Sequence, residues 1–214
     1  MELIADHISK KIREKKILIE IDLHLYGGNI YGFTGRNGSG KTMLFRALSG
    51  LMSIDSGSVS WNGKVLKRDF SVLPSLGIVL ENAALYSNLT GIQNLTYLAD
   101  LTRRIGLEDI RQAIRRVGLD PDDRRLYSKY SLGMKQRLAI AQAVMERPDV
   151  IMLDEPTNSL DEDGVEEIRK LIAEEKARGA LILLASHNSD DIRILADHSF
   201  HMNSGRVLVP EDCS

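Results

Sequence analysis

One octapeptide, Gly35 to Thr42, constrains the fold of this chain more than any other segment. It reads Gly-Arg-Asn-Gly-Ser-Gly-Lys-Thr and fits G-x-x-x-x-G-K-[ST], the pattern of a phosphate-binding loop. Its glycines let the backbone curl, so that successive N–H groups point at one phosphate. Lys41 adds a positive charge, and Thr42 offers a hydroxyl to Mg²⁺. The segment therefore predicts a nucleotide site.

The flanking segments support this interpretation. Residues 29–34 form a short apolar run rich in β-formers, which predicts a strand. Residues 42–49 have helical character and stop at Gly50, a residue that commonly ends helices. Strand, glycine-rich turn and helix is the order that a phosphate-binding loop requires.

Composition describes an ordinary globular chain. Of 214 residues, 43% are hydrophobic and 27% are charged, and the net charge of −2 implies no bulk attraction to nucleic acid or anionic lipid. The single cysteine, Cys213, allows no internal disulfide, which suits a reducing cytosol. No apolar run approaches membrane-span length, and the N-terminus does not resemble a signal peptide. We expect a soluble protein whose membrane role, if any, comes through a partner.

The hydrophobic pattern changes along the chain. Residues 16–25 alternate with period two and, with residues 3–9 and 59–61, predict an antiparallel β layer. Residues 90–147 are helical, beginning at a Thr90 capping box. Continuous apolar strands at 150–154 and 180–185 flank a helix at 162–178, which predicts a parallel sheet covered on both faces. We predict one domain over 1–214, with an α/β nucleotide-binding core at 1–87 and 148–214 and a helical subdomain at 88–147.

Two further segments carry chemistry. Asp154 and Glu155 end an apolar strand, where the first acid supports Mg²⁺ and the second polarises a water for attack. Alternatively, either acid simply caps the following turn. Ser131 is placed to cap the helix that begins near Leu132, and such a helix start forms an anion site.

In order and spacing these motifs resemble the ATP-binding cassette (ABC) family. The octapeptide matches Walker A, and residues 131–134 (Ser131, Leu132, Gly133, Met134) stand where that family has its signature motif, LSGGQ. Residues 150–155 match Walker B, residues 156–161 the D-loop, and His187 the switch histidine. The resemblance covers nearly the whole chain.

The resemblance implies a P-loop NTPase fold with a RecA-like core, and an ATPase that uses ATP and Mg²⁺. It makes Glu155 the catalytic carboxylate, His187 a γ-phosphate contact, and Thr42, Glu81 and Asp154 the metal-binding residues. Residues 131–134 and Asp161 would face the ATP of a second ATPase subunit, identical or not. The nucleotide contacts so implied are Gly35, Arg36, Asn37, Gly38, Ser39, Gly40, Lys41, Thr42, Met43 and Ile12.

Four departures from the family pattern indicate which branch of the family the chain resembles. Ile12 stands where an aromatic residue often stacks on adenine, and Met43 follows Thr42 where a hydroxyl is common. Glu81 replaces the Q-loop glutamine, and the signature reads Tyr-Ser-Leu-Gly-Met. The last two resemble ATPases of lantibiotic, bacteriocin or multidrug export and immunity.

We therefore expect the motor of a transporter at the inner face of the cell membrane, driving a transmembrane permease, with no nucleic-acid partner. An importer ATPase remains open, as does a soluble ABC ATPase acting on DNA, ribosomes or cofactor assembly. A P-loop kinase or GTPase would leave Ser131, Asp161 and His187 without a role.

Overall fold

A computed structural model describes residues 1–80, 85–187 and 189–208. Strands predominate in the first part of the chain, three consecutive helices follow, and strands and helices then alternate. In order they are β1 (Glu2–Ile12), β2 (Lys15–Tyr26), β3 (Ile30–Thr34), α1 (Lys41–Ser49), β4 (Ser56–Trp61), β5 (Lys64–Val65), β6 (Leu76–Val79), α2 (Gly91–Thr102), α3 (Leu107–Arg116), α4 (Leu132–Val144), β7 (Val150–Asp154), α5 (Glu162–Ala177), β8 (Leu181–Ala185), α6 (Ser189–Leu195), β9 (His198–Asn203) and β10 (Arg206–Leu208).

The larger sheet formed by these residues is mostly parallel, with the strand order β10-β9-β3-β8-β7-β6. Only the β9–β10 pair is antiparallel. Every residue of β7 and β8 is buried, because helices or the second sheet cover both faces. The phosphate-binding loop and residues 154–155 both leave carboxyl ends of this sheet, so topology brings them to one edge.

The second sheet is the predicted antiparallel layer, in the order β2-β1-β4-β5. Its alternating strands bury one face against the larger sheet and α1. Asn62 and Gly63 have φ values of 49° and 77°, the left-handed backbone of a tight hairpin between β4 and β5. Phe33 of β3 meets Phe45 of α1 edge-on within this core, with ring centroids 5.6 Å apart.

The helical segment packs on the opposite face of the larger sheet. One hydrophobic cluster joins Leu95 of α2, Ile110 of α3 and Leu138 of α4 to Ile151 of β7. α2 begins at Thr90 with the predicted capping box, in which Thr90 and Gln93 exchange hydrogen bonds. The described part of the chain contains no helix with the length and apolarity needed to span a membrane.

Sequence patterns missed three elements and misplaced several ends. β5, α6 and β9 were not predicted, and α4 ends at Val144, before the predicted limit of the helical region at residue 147. β9 lies beside β3, but its burial follows no clean alternation because His198, Ser199 and His201 remain exposed. Only the pairing with β3 identifies it as a strand of the core sheet.

Candidate nucleotide site

The phosphate-binding loop lies between β3 and α1. Gly35, Gly38 and Gly40 have φ values of 142°, 79° and 113°, which side-chain-bearing residues rarely adopt. A Cβ on Gly35 would lie 2.3 Å from the Met202 carbonyl oxygen of β9, whereas one on Gly38 would meet nothing within 4 Å. Gly35 is therefore required both by its backbone and by its neighbour.

Two residues at the start of α1 connect the loop to its surroundings. The buried Lys41 Nζ donates a hydrogen bond to the Gly35 carbonyl at 2.7 Å. The Thr42 hydroxyl donates to Oδ2 of Asp154 at the end of β7. A cation, a hydroxyl and a carboxylate thus converge at the mouth of the loop.

The loop borders a cavity of about 540 Å³. Ser39 Oγ is buried with no hydrogen-bond partner among the described residues, which suits it to contact an anionic oxygen. The residues that line the cavity are Lys15, Ile17, Asn37, Gly38, Ser39, Gly40, Lys41, Thr42, Met43, Asp154, Glu155 and Asn158.

Three of the predicted nucleotide residues, Gly35, Arg36 and Ile12, are absent from the described lining of this cavity, and their contacts with ATP stay predictions. Arg36 lines a neighbouring cavity with His201 and Asn203. Ile12 is exposed at the end of β1 and is absent from the described lining of the nucleotide cavity. Lys15 and Ile17, at the start of β2, line the cavity after the turn that follows Ile12.

Glu155 and His187 meet beside this cavity. Glu155 has a left-handed φ of 52°, and its N–H donates to the Ala185 carbonyl at 2.8 Å. Its Oε1 accepts from the His187 N–H at 2.9 Å, and its Oε2 lies 2.8 Å from His187 Nδ1. Ser186 Oγ also donates to Oε2, at 3.3 Å. The strained backbone of Glu155 is thus fixed by hydrogen bonds to β8 and to the residues that follow it. Such strain is common at functional sites.

The signature residues lie apart from this cavity. Ser131 caps α4 by accepting from the Met134 N–H at 3.2 Å. Leu132 is 62% exposed, and Gly133 passes so close to the Ser159 carbonyl that a Cβ would lie 2.8 Å from it. None of residues 131–134 is among the described residues that line the cavity.

Asp161 caps α5 near the same surface. Its Oδ1 accepts from the Gly164 N–H at 3.1 Å and from Arg137 Nη2 at 3.2 Å. These hydrogen bonds, chiefly the one from Gly164, lower the pKa of the exposed Asp161 carboxyl below its usual value.

Two residues of α4 that sequence reasoning missed connect the start of this helix to the segments that carry Glu155 and Asp161. Gln136 Nε2 donates to the carbonyls of Glu155 and Pro156, at 3.2 and 3.3 Å. Arg137 donates to Asp161 and, at 2.9 Å, to the Val117 carbonyl. Their position one turn after the signature was the available signal. Glu81, the predicted Q-loop position, lies outside the described residues.

Comparison with known proteins decides the family. The family model for ABC transporters matches residues 18–158. The chain belongs to the ABC transporter family. It is an ABC ATPase, the ATP-binding and ATP-hydrolysing motor of a transporter, as the sequence motifs predicted.

Curated relatives of this ABC ATPase come from bacteria. It is 43% identical to an uncharacterized ABC transporter ATP-binding protein of Bacillus subtilis (strain 168), over 96% of this chain and 94% of the relative. It is 37% identical to a bacitracin transport ATP-binding protein of Enterococcus faecalis, covering 95% of this chain and 67% of that protein. A lantibiotic transport ATP-binding protein of Streptococcus pyogenes is 32% identical, over 98% and 90% of the two chains.

Solved structures confirm the predicted fold class. An ATP-binding subunit of an ABC transporter has a TM-score of 0.87 at 24% identity, covering 99% of this chain and 91% of the other. A dimeric bacterial ABC transporter cassette also has a TM-score of 0.87, at 20% identity and 96% coverage of both chains. The ABC ATPase therefore has the cassette fold, with its antiparallel β layer and helical region.

Proposed function

We propose that this ABC ATPase works with a second ATPase subunit and a transmembrane permease to export, or confer immunity to, a peptide antibiotic. Its place would be at the inner face of the cell membrane, held there by the permease. The observation that carries the ATPase part is the meeting of the phosphate-binding loop, Asp154 and the Glu155–His187 pair at one cavity.

The substrate class is supported by sequence relationships. Relatives named for bacitracin and lantibiotic transport align over nearly all of this chain. Glu81 and the Tyr-Ser-Leu-Gly-Met signature resemble the same branch. Bacitracin and lantibiotics are both peptides, so the shared chemistry is an amphiphilic peptide rather than a sugar or an ion.

The site suggests how the γ-phosphate is removed. Glu155 would orient a water and accept its proton as the water oxygen bonds to the γ-phosphorus. The bond from that phosphorus to the β–γ bridging oxygen breaks, which leaves ADP and inorganic phosphate. Lys41 and the loop N–H groups would hold the β- and γ-phosphates, while His187 would contact the γ-phosphate. For this the Glu155 carboxylate must also accept a hydrogen bond from the water, on oxygens that His187 already contacts.

The residues present also fit a magnesium ion. Thr42 and Asp154 offer the oxygen ligands that Mg²⁺ prefers, and they already lie in contact. Glu81 would complete this set. When bound, the ion would neutralise charge on the β- and γ-phosphates.

A second subunit would complete the site. Residues 131–134 lie outside the cavity of their own chain, and Leu132 is largely exposed. We infer that Ser131 and its helix N-terminus reach the γ-phosphate bound by the partner, with Asp161 at the same interface. A dimeric solved cassette of the same fold supports this arrangement.

A Glu155→Gln variant tests the motor. The amide cannot accept the water proton, so we expect ATP turnover to fall at least about 100-fold while ATP binding persists. The variant should form an ATP-dependent dimer by size-exclusion chromatography. A variant that stays monomeric at saturating ATP would contradict the shared site in the isolated subunit.

Export requires a separate experiment in the native cell. Detergent extraction and purification of the tagged ABC ATPase should recover a multi-span permease. Cells lacking the ABC ATPase should become more sensitive to bacitracin or a lantibiotic, and wild-type protein, but not Glu155→Gln, should restore resistance. Recovery of ribosomes or DNA instead, with unchanged sensitivity to these antibiotics, would contradict the transport proposal.

A further inference from the structure

A buried carboxylate connects the two segments that carry Glu155 and His187. Asp191 lies in α6, four residues after His187, and is completely buried. Its Oδ2 accepts a hydrogen bond from the Thr157 hydroxyl, and Thr157 follows Glu155 by two residues. Its Oδ1 accepts two from Arg169 of α5, at 2.6 and 3.1 Å. Both oxygens of the carboxylate are therefore engaged.

We propose that Asp191 is a positioning residue for ATP hydrolysis, which keeps His187 in register with Glu155 through Thr157 and Arg169. The inference rests on the proposed role of His187 at the γ-phosphate. Asp191 itself would not touch ATP or the attacking water.

A second connection is needed because the direct contact between His187 and Glu155 is exposed to solvent. The His187 side chain is 56% exposed and meets Glu155 at the carboxylate that must also orient water. When that carboxylate turns to its water, the side-chain contact weakens, and the backbone hydrogen bond from the Glu155 N–H to the Ala185 carbonyl ends two residues before His187. The Asp191 contacts involve neither Glu155 nor His187, so a change in the contact between those two side chains does not itself break them.

Burial makes this second connection stiff. A carboxylate removed from water is strongly unfavourable unless paired and hydrogen-bonded, so separating Asp191 from Arg169 or Thr157 is heavily disfavoured. Arg169 is only 16% exposed, and Thr157 is buried. Small displacements of a catalytic group reduce rates steeply, by about 100-fold for 1 Å. A rigid anchor four residues from His187 therefore matters to turnover more than to nucleotide binding.

Asp191→Asn removes the charge and keeps the shape. Arg169 retains a second partner, because its Nη1 donates to Glu166 at 2.7 Å. We expect kcat for ATP to fall about 10- to 100-fold, with KM and the affinity for a fluorescent ATP analogue unchanged within about twofold. Asp190→Asn is the matched control: it removes one charge from an exposed position on the same helix, beside Arg193, and should stay within about twofold of wild type.

A double-mutant cycle distinguishes positioning from general loss of stability. In a His187→Ala background, Asp191→Asn should lower kcat no further, because its effect is transmitted through His187. Full additivity of the two substitutions would overturn the inference while leaving the role of His187 intact. If His187→Ala alone leaves kcat unchanged, the proposed role of His187 has failed instead.

A second pair of variants covers the case in which Asp191→Asn does not fold. Thr157→Val deletes the hydroxyl and should lower kcat without raising KM. Thr157→Ser restores the hydroxyl and should recover most of the loss. Equal activity of the Val and Ser variants would refute the anchor.

Discussion

Gly35→Ala tests whether the phosphate-binding loop is fixed by the strand beside it. The added Cβ would lie 2.3 Å from the Met202 carbonyl oxygen and 2.9 Å from Ser39 Oγ. Because the first neighbour is backbone of β9, the loop or the strand must move. Gly38→Ala is the matched control in the same loop, since its Cβ meets nothing within 4 Å.

The two substitutions should differ in the free energy of unfolding, because only Gly35→Ala introduces a steric clash. Gly38→Ala pays only for a left-handed backbone, about 1–2 kcal/mol. Gly35 has a φ of 142°, and an alanine forced into that conformation is strained by about 1–3 kcal/mol. The clash of its Cβ with Met202 adds about 1–3 kcal/mol of overpacking, so the total loss is about 2–6 kcal/mol. Total stabilities of domains are about 5–15 kcal/mol, so the larger loss is measurable.

The assay is urea unfolding of nucleotide-free protein, followed by circular dichroism. We expect Gly35→Ala to lose at least about 1 kcal/mol more than Gly38→Ala, from the overpacking term. A Gly35→Ala chain that cannot be purified folded, beside a folded Gly38→Ala, agrees with the reasoning. Equal losses, or a greater loss for Gly38→Ala, would show that the Met202 contact does not constrain the loop.

Three other predictions concern packing, pH and the signature helix. Gly77→Ala places a Cβ 1.9 Å from the Ala143 carbonyl oxygen, so we expect a loss of about 3 kcal/mol and a Tm lowered by about 6–12 °C in a thermal melt. Burial raises the pKa of the Asp197 carboxyl, but hydrogen bonds from Lys176 and from the Ile30 N–H lower it by more, so the pKa lies below its usual value. The ionised Asp197 therefore stabilises the folded protein fully above the pKa that this carboxyl has in the unfolded chain, and this stabilisation is lost as the pH falls through its lower pKa in the folded chain. In acid unfolding titrations, Asp197→Asn should make the free energy of unfolding fall less steeply with decreasing pH. Gln136→Ala removes two hydrogen bonds to the carbonyls after β7 and should lower kcat about 10-fold with little change in KM, measured by phosphate release.

The elements set by local pattern were predicted well. The continuous apolar runs became β7 and β8, and the alternating run became β2, because burial on both faces or on one face leaves a direct mark on the sequence. The Thr90 capping box and the Gly50 helix stop were confirmed, since each depends on residues within one turn.

Elements set by distant neighbours were not predicted. β9 is a strand because β3 offers it a parallel edge, and four of its six residues remain exposed. Lys15 and Ile17 line the nucleotide cavity because a turn joins β1 to β2, and neither was among the predicted nucleotide contacts. Such placements depend on where the chain reverses, which spacing does not encode.

The sequence by itself determined the chemistry of this ABC ATPase: the phosphate-binding loop, the acid pair at a strand end, the signature helix start and the switch histidine. These are short motifs whose residue types are dictated by phosphate, water and metal chemistry. Tertiary structure alone decided how they are held. It placed Glu155 against His187, Gly35 against Met202, and a buried Asp191 against Thr157. Contacts between such distant residues arise only when the sheet order and the packing of its helices are fixed.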